Sequence, residues 1–153
     1  MQVQVRNLRI YLDTCCVNRL FDNQTQARVQ RETQAITQIL GYFMTMRWDW
    51  LSSVILEDEV NADADSERRS RVKSVMEHVH YTLAIGTTEE IRAEELENLG
   101  FKHYDALHIV CAESGGADVL LTTDDRMLRL AKRHSAQLQV RVENPYTWLQ
   151  TIT

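Results

Sequence analysis

Leu8-Arg9-Ile10-Tyr11-Leu12-Asp13 is a short apolar run closed by an acid. A run this brief, bounded by polar residues, reads as a buried strand. Val119-Leu120-Leu121-Thr122-Thr123-Asp124 repeats the arrangement late in the chain, apolar residues first and the carboxylate after. Further short strands are expected over 49–53, 81–85 and 138–142. Helical patterns separate them. Val29, Ile36, Ile39, Leu40 and Phe43 recur at helical spacing within 26–46. Segments 54–62, 66–78, 105–114 and 125–134 also read as helices. Thr87 to Glu90 fits a capping box for a helix that stops at Gly100. Asn144-Pro145 reads as the N-cap and first residue of a terminal helix. Strands that alternate with helices pair in parallel. The expected fold is therefore α/β, three layers around a central parallel five-stranded sheet. In such sheets ligands bind beyond the carboxyl ends of the strands. Asp13 and Asp124 stand at two such ends.

A chain of 153 residues with 44% apolar content has room for one core, so a single domain over 1–153 is expected. No apolar run nears the roughly 20 residues that span a bilayer. The opening Met1-Gln2-Val3-Gln4-Val5-Arg6 lacks the apolar segment of a secretory signal. Three cysteines, with Cys15 and Cys16 adjacent, make no disulfide framework. They are expected to be reduced, small and structural, in a cytoplasmic protein. A net charge of −5 argues against a general nucleic-acid coat protein. It does not exclude an enzyme that holds phosphates on a local basic rim.

Glu59 follows the apolar stretch that ends at Leu56, and Asp105 opens an almost wholly apolar helix. Each acid alone has an ordinary explanation. Asp13 could begin a turn, and Asp105 could neutralise a helix N-terminus. Asp124 and Asp125 could cap the next helix, and Glu59 could be solvated. Together they say more, because gathered carboxylates repel one another unless a cation is present. An all-oxygen set suits Mg²⁺ or Mn²⁺. Phosphodiester hydrolysis uses such ions to activate water and stabilise the departing oxygen. Asp13, Glu59, Asp105 and Asp124 are the expected ligands and catalytic groups. Glu57 is the reserve for Glu59, since residues two apart on a helix point about 200° apart. Asp125 is expected to point away and cap its helix. Thr14 and Thr122 could hydrogen-bond the carboxylates. His78 and His80 lack the further ligands a zinc site needs. His103 and His108 flank Asp105, where a core or surface role is the ordinary one. Arg68 to Lys73 and the cluster Arg126, Arg129, Lys132 and Arg133 are phosphate contacts or solvated helix faces. No Gly-rich phosphate loop occurs.

These segments resemble the PIN-domain family, metal-dependent ribonucleases that include the VapC-like toxins. The matching stretches are Tyr11-Leu12-Asp13-Thr14, Ser53 to Val60, Asp105 to Ala112 and Leu121 to Leu128. They come in the family's order and cover nearly the whole chain. The resemblance implies a Rossmann-like parallel sheet, a Mg²⁺ or Mn²⁺ site and RNA as substrate. It also implies a small antitoxin as partner and a homodimer, as in many bacterial relatives. The leading expectation is a metal-dependent endoribonuclease, the toxin of a toxin–antitoxin pair. Arg126 and Arg129, three apart after Asp124, are its best-placed RNA contacts. One alternative is a non-catalytic interaction module on the same fold. Another is an aspartyl phosphate-handling α/β domain. A dehalogenase-type phosphatase would want an Asp where Cys15 stands. A signalling receiver would want its acidic pair after the first strand.

Overall fold

The computed structural model describes residues 6–153; residues 1–5, most of the stretch read above for a signal sequence, lie outside the described residues. Five strands form one sheet: β1 (Leu8–Leu12), β2 (Trp48–Ser53), β3 (Tyr81–Leu83), β4 (Val119–Leu121) and β5 (Arg141–Glu143). All pairings are parallel, in the spatial order β3-β2-β1-β4-β5. The helices are α1 (Thr14–Arg19), α2 (Ala27–Met44), α3 (Val54–Asn61), α4 (Ser66–Met76), α5 (Thr87–Asn98), α6 (His103–Ser114), α7 (Asp125–Arg133) and α8 (Pro145–Ile152).

The strand order explains the layers. From β1 the chain steps outward to β2 and β3, then crosses back to lay β4 on the other side of β1. Right-handed crossovers that run in opposite directions place their helices on opposite faces. Alternating side chains serve the two layers. Trp50 stacks on Phe43 of α2 with ring centroids 5.1 Å apart. Tyr11 and Leu51, paired across β1 and β2, face α6 instead. At Gly115, the cap of α6, an added Cβ would collide with Leu51 and come within 2.8 Å of Leu83. Glycine is what lets this helix end lie directly on the sheet.

Glu32 of α2 is buried, yet ionic partners surround it. Arg19 reaches it at 3.0 Å, Arg28 at 3.3 Å and the Asn144 amide at 2.6 Å. A buried charge persists only when it is paired in this way. The pairs tie α1 and the cap of α8 to α2.

Some boundaries differ from the sequence reading. Helix α1 was not anticipated; its six residues are too few to show a period. Gly86, not Thr87, is the N-cap of α5. Strand β5 begins at Arg141 because a 3-10 turn over Ser135–Gln137 takes up the preceding chain. Among the described residues no helix is long and apolar enough to cross a membrane.

Candidate functional site

The strand order reverses between β1 and β4, which is where open parallel sheets form ligand crevices. The Asp13 amide donates to the Leu121 carbonyl at 2.9 Å and closes this seam. Asp13 is in the N-cap position of α1, but its side chain makes no capping bond. The carboxylate is thus left to face the crevice, 6% exposed. Its Oδ2 accepts from Thr122 Oγ1 at 2.8 Å and from the Cys15 thiol at 3.3 Å. Cys15 therefore touches the acidic site, where the sequence suggested only a small buried filler. Cys16 is such a filler, buried against the Leu121 carbonyl.

Glu59 comes from α3, whose start is fixed by Ser53 Oγ accepting from Leu56 N. Glu57 and Asp58 are exposed, while Glu59 turns inward. Its Oε1 accepts from Thr14 Oγ1 at 3.0 Å and from His108 Nε2 in a close contact. His108 is 1% exposed, and its Nε2 also lies 3.5 Å from Asp13 Oδ1. Its Nδ1 meets Tyr11 Oη at 2.6 Å, which in turn meets Ser53 Oγ at 2.6 Å. A hydrogen-bonded chain thus runs Ser53–Tyr11–His108–Glu59–Thr14. Asp13, Glu59 and His108 each present one ligand atom, all within 4.8 Å of one another, a group able to hold a metal ion.

Asp105 and Asp124 lie outside that tight trio. Asp105 is half-buried on α6, one turn before His108, and makes no side-chain hydrogen bond among the described residues. Burial, then the negative charges of Asp13 and Asp124, push its carboxyl up to about 6. Asp124 caps α7, its Oδ1 accepting from Arg126 N at 2.9 Å and Met127 N at 3.3 Å. This corrects the expectation that Asp125 caps the helix. Asp125 is drawn outward into a two-pronged pair with Arg28 at 2.8 and 2.9 Å. The histidine inside the site was passed over in favour of its ordinary roles. Its one sequence signal was the three-residue spacing from Asp105, which puts both on one helix side.

The charges of the trio are coupled. Burial pulls the His108 pKa down, but the Glu59 hydrogen bond and the carboxylates of Asp13, Glu59 and Asp105 outweigh it, so the net shift is upward. Burial would raise Glu59, yet the bond and charge of His108 and the Thr14 hydroxyl hold it below its ordinary value. The two carboxylates therefore favour the charged ring more than water does, and Tyr11 links the ring to Ser53.

Asp105 supplies a test of this electrostatic picture. Its folded pKa of about 6 exceeds the ordinary 3.8 of an aspartate, so ionising it opposes folding. The penalty is absent well below pH 3.8, grows between about pH 4 and 6, and is complete above 6. In chelator, Asp105→Asn is expected to be more stable than wild type by about 1–2 kcal/mol at pH 8. That is below the full linkage value, because the group is partly exposed and screened. At pH 3 the two proteins should unfold at nearly the same urea concentration. An equal gain at both pH values would show that Asp105 feels no such repulsion.

The remaining candidates fall around the site. Arg126 and Arg129 are exposed on α7, and Arg126 donates to the Gly100 carbonyl at 3.1 Å just ahead of α6. Arg68 is held by Asp63, and Arg71 by Glu67. His80 accepts from the Trp50 amide at 2.9 Å, a structural role, and His78 is exposed. A cavity of about 880 Å³ between α7 and β5 contains none of the four acids. A cleft of about 470 Å³ opens beside Glu59 and Thr14.

Comparison with known proteins fits this geometry. The family model described as "PIN domain" matches residues 10–133. Among solved structures, VapBC2 from Rickettsia felis, bound to a DNA fragment from its promoter, is similar with a TM-score of 0.61. It is 14% identical, and the match covers 90% of this chain and 98% of that one. VapBC-1 from nontypeable Haemophilus influenzae matches with a TM-score of 0.58 and 13% identity, again over 90% and 98% of the two chains. At such identities the likeness shows the fold. No curated protein matches.

Proposed function

The chain belongs to the PIN domain family, and from that premise we propose that it is a metal-dependent endoribonuclease, the toxin of a toxin–antitoxin pair. The observation that carries the reading is the convergence of the Asp13 and Glu59 carboxylates, bridged by His108, beside the β1–β4 switch point. Asp13, Glu59, Asp105 and Asp124 would hold Mg²⁺ or Mn²⁺. The fit rests on donor chemistry: hard cations take carboxylate oxygens, and Asp105 has no hydrogen-bonding partner for its charge among the described residues. When bound, the ion polarises a phosphoryl oxygen and acidifies water.

The protein's own residues set the geometry. Thr122 and Cys15 fix one oxygen of Asp13. Thr14 and His108 fix Glu59, and Tyr11 and Ser53 hold the imidazole in place. Ligand carboxylates oriented by such outer partners are the usual construction of a metal site. The same contacts disfavour a phosphorylated aspartate, since Asp13 is buried with Oδ2 already engaged. The VapBC neighbours support a small antitoxin as partner. Three free thiols fit a reducing, cytoplasmic compartment.

The test is cleavage of a panel of single-stranded and structured RNAs in Mg²⁺ or Mn²⁺, against the same reactions in chelator. Cleavage is expected only with the ion. Binding without cleavage under every condition would favour the interaction module.

RNA contact is assigned to the α7 rim. Arg129 is exposed, and Arg126 reaches across to the turn before α6. Changing both to Ala is expected to weaken RNA binding and lower the slope of log affinity against log salt by about 1.4, two released counterions on a single strand. Fluorescence anisotropy with catalytically silent Asp13→Asn protein measures this. An unchanged slope would place the RNA path elsewhere.

A further inference from the structure

The cleft beside Glu59 has features the acidic site does not use. Its floor is apolar, with Val60 3% and Val72 1% exposed. One wall is Tyr104, which precedes Asp105 at the start of α6 and is 50% exposed. The partly buried Asn18 of α1 lines it too, and its amide makes no hydrogen bond among the described residues. At the inner end stand Glu59 and Thr14, so the cleft opens directly onto the carboxylates. Its volume of about 470 Å³ lies within the roughly 300–1,000 Å³ of small-molecule clefts.

Charge narrows the ligand. The cleft contains one arginine, Arg68, and Asp63 already binds it through two hydrogen bonds of 2.6 and 3.0 Å. With Glu59 and Asp63 also present, the lining carries no excess of positive charge. A phosphate would find no free cation there among the described residues. A flat, neutral group with apolar faces and a hydrogen-bonding edge matches every part. It can stack on Tyr104, lie over Val60 and Val72, and present its edge to the amide of Asn18.

We propose that this cleft, walled by Tyr104 and Asn18, is a subsite for one unpaired nucleobase of the RNA, next to the phosphate held at the acidic site. The inference rests on the ribonuclease reading and adds how the strand is gripped. An aromatic face accepts any base, so Tyr104 supplies affinity. The amide of Asn18, with two donors and an acceptor, supplies preference among bases. A base paired in a duplex keeps its faces stacked and its edge engaged, so the subsite selects single strands.

The test uses the full chain with Asp13→Asn as background, so that the RNA survives. Binding of a short fluorescent single-stranded RNA is compared for Tyr104, Tyr104→Ala and Tyr104→Phe. Tyr104→Ala is expected to weaken binding about tenfold, the scale of one base–aromatic stack. Tyr104→Phe, which keeps the ring, should restore it. Tyr81→Ala, an equally exposed tyrosine on edge strand β3, is the control and should bind as the parent does. The decisive arm is a set of RNAs with an abasic residue at successive positions. One position should lose about tenfold with Tyr104 and nothing more with Tyr104→Ala, the non-additivity of groups in contact. Equal binding by Tyr104→Ala, or losses that simply add, would overturn the subsite while ion-dependent cleavage by the wild type upheld the nuclease. No RNA binding by any protein, with no cleavage by the wild type, would overturn both.

Discussion

Asp13→Asn is expected to lower RNA cleavage at least about a hundredfold, the scale for removing one charge-stabilising group from an active site, while the fold survives. The substitution is nearly isosteric, and the site tolerates it. Thr122 can still donate to an amide oxygen, and the main-chain bond from residue 13 to Leu121 is untouched. What is lost is the negative charge that Asp13 contributes at the switch point. Repulsion falls as well, because Asp13 is one of the charges that raise the Asp105 carboxyl. In chelator this relief offsets the lost attraction between Asp13 and His108, so the variant should still melt as a folded, cooperative protein. Calorimetry and a cleavage time course on one preparation decide the matter. Wild-type cleavage rates in a folded Asp13→Asn protein would remove Asp13 from the machinery.

His108→Leu is expected to have the largest effect on stability, about 3 kcal/mol near pH 6, at the low end for breaking a buried ion pair because Glu59 is partly exposed. Leucine fills much of the space but donates nothing. Glu59 then keeps only Thr14, and Tyr11 keeps only Ser53. The pH dependence identifies the cause. Glu59 is held below the ordinary 4.5 of a glutamate, so its contribution is complete above that pH and is lost as pH falls through the lowered value. His108 is held above the ordinary 6.5 of a histidine, so its contribution is complete below that pH and is lost as pH rises through the raised value. The gap between wild type and His108→Leu should be widest from about pH 4.5 to 6.5 and narrow on either side. Urea denaturation in chelator from pH 3 to 9 measures it. A gap independent of pH would mean that His108 acts only as a packing residue.

Much of the fold was legible because its strands are short apolar runs that end at polar residues. Parallel pairing followed from the helices between them. The acids of β1 and β4 were legible for the same reason, since Asp13 directly follows its strand and Asp124 follows after two threonines. Other features depended on partners distant in sequence. Asp124 and Asp125 are equivalent caps on paper; Arg28 of α2 decides which turns outward. His108 stands in a continuous apolar run, so periodicity says that it is buried but not what it meets. Its partners, Tyr11 and Glu59, come from other elements of the fold. Cys15 read as a small hydrophobe because nothing local reveals the carboxylate against its thiol. Helix α1 was missed because six residues do not complete two turns.

The placement of β4 also bears on synthesis. The nascent chain makes β1, β2 and β3 in order, yet β1 lacks its second neighbour until Leu121 of 153 residues has left the ribosome. Before then Asp13 has no Leu121 carbonyl to fix its amide and no Thr122 hydroxyl to orient its carboxylate. Asp105 and Asp124 also arrive late. Contacts this distant in sequence close last, because their loop entropy must be overcome first. A nascent chain that has not yet paired β4 with β1 therefore lacks the assembled acidic cluster, however well its first three strands have folded.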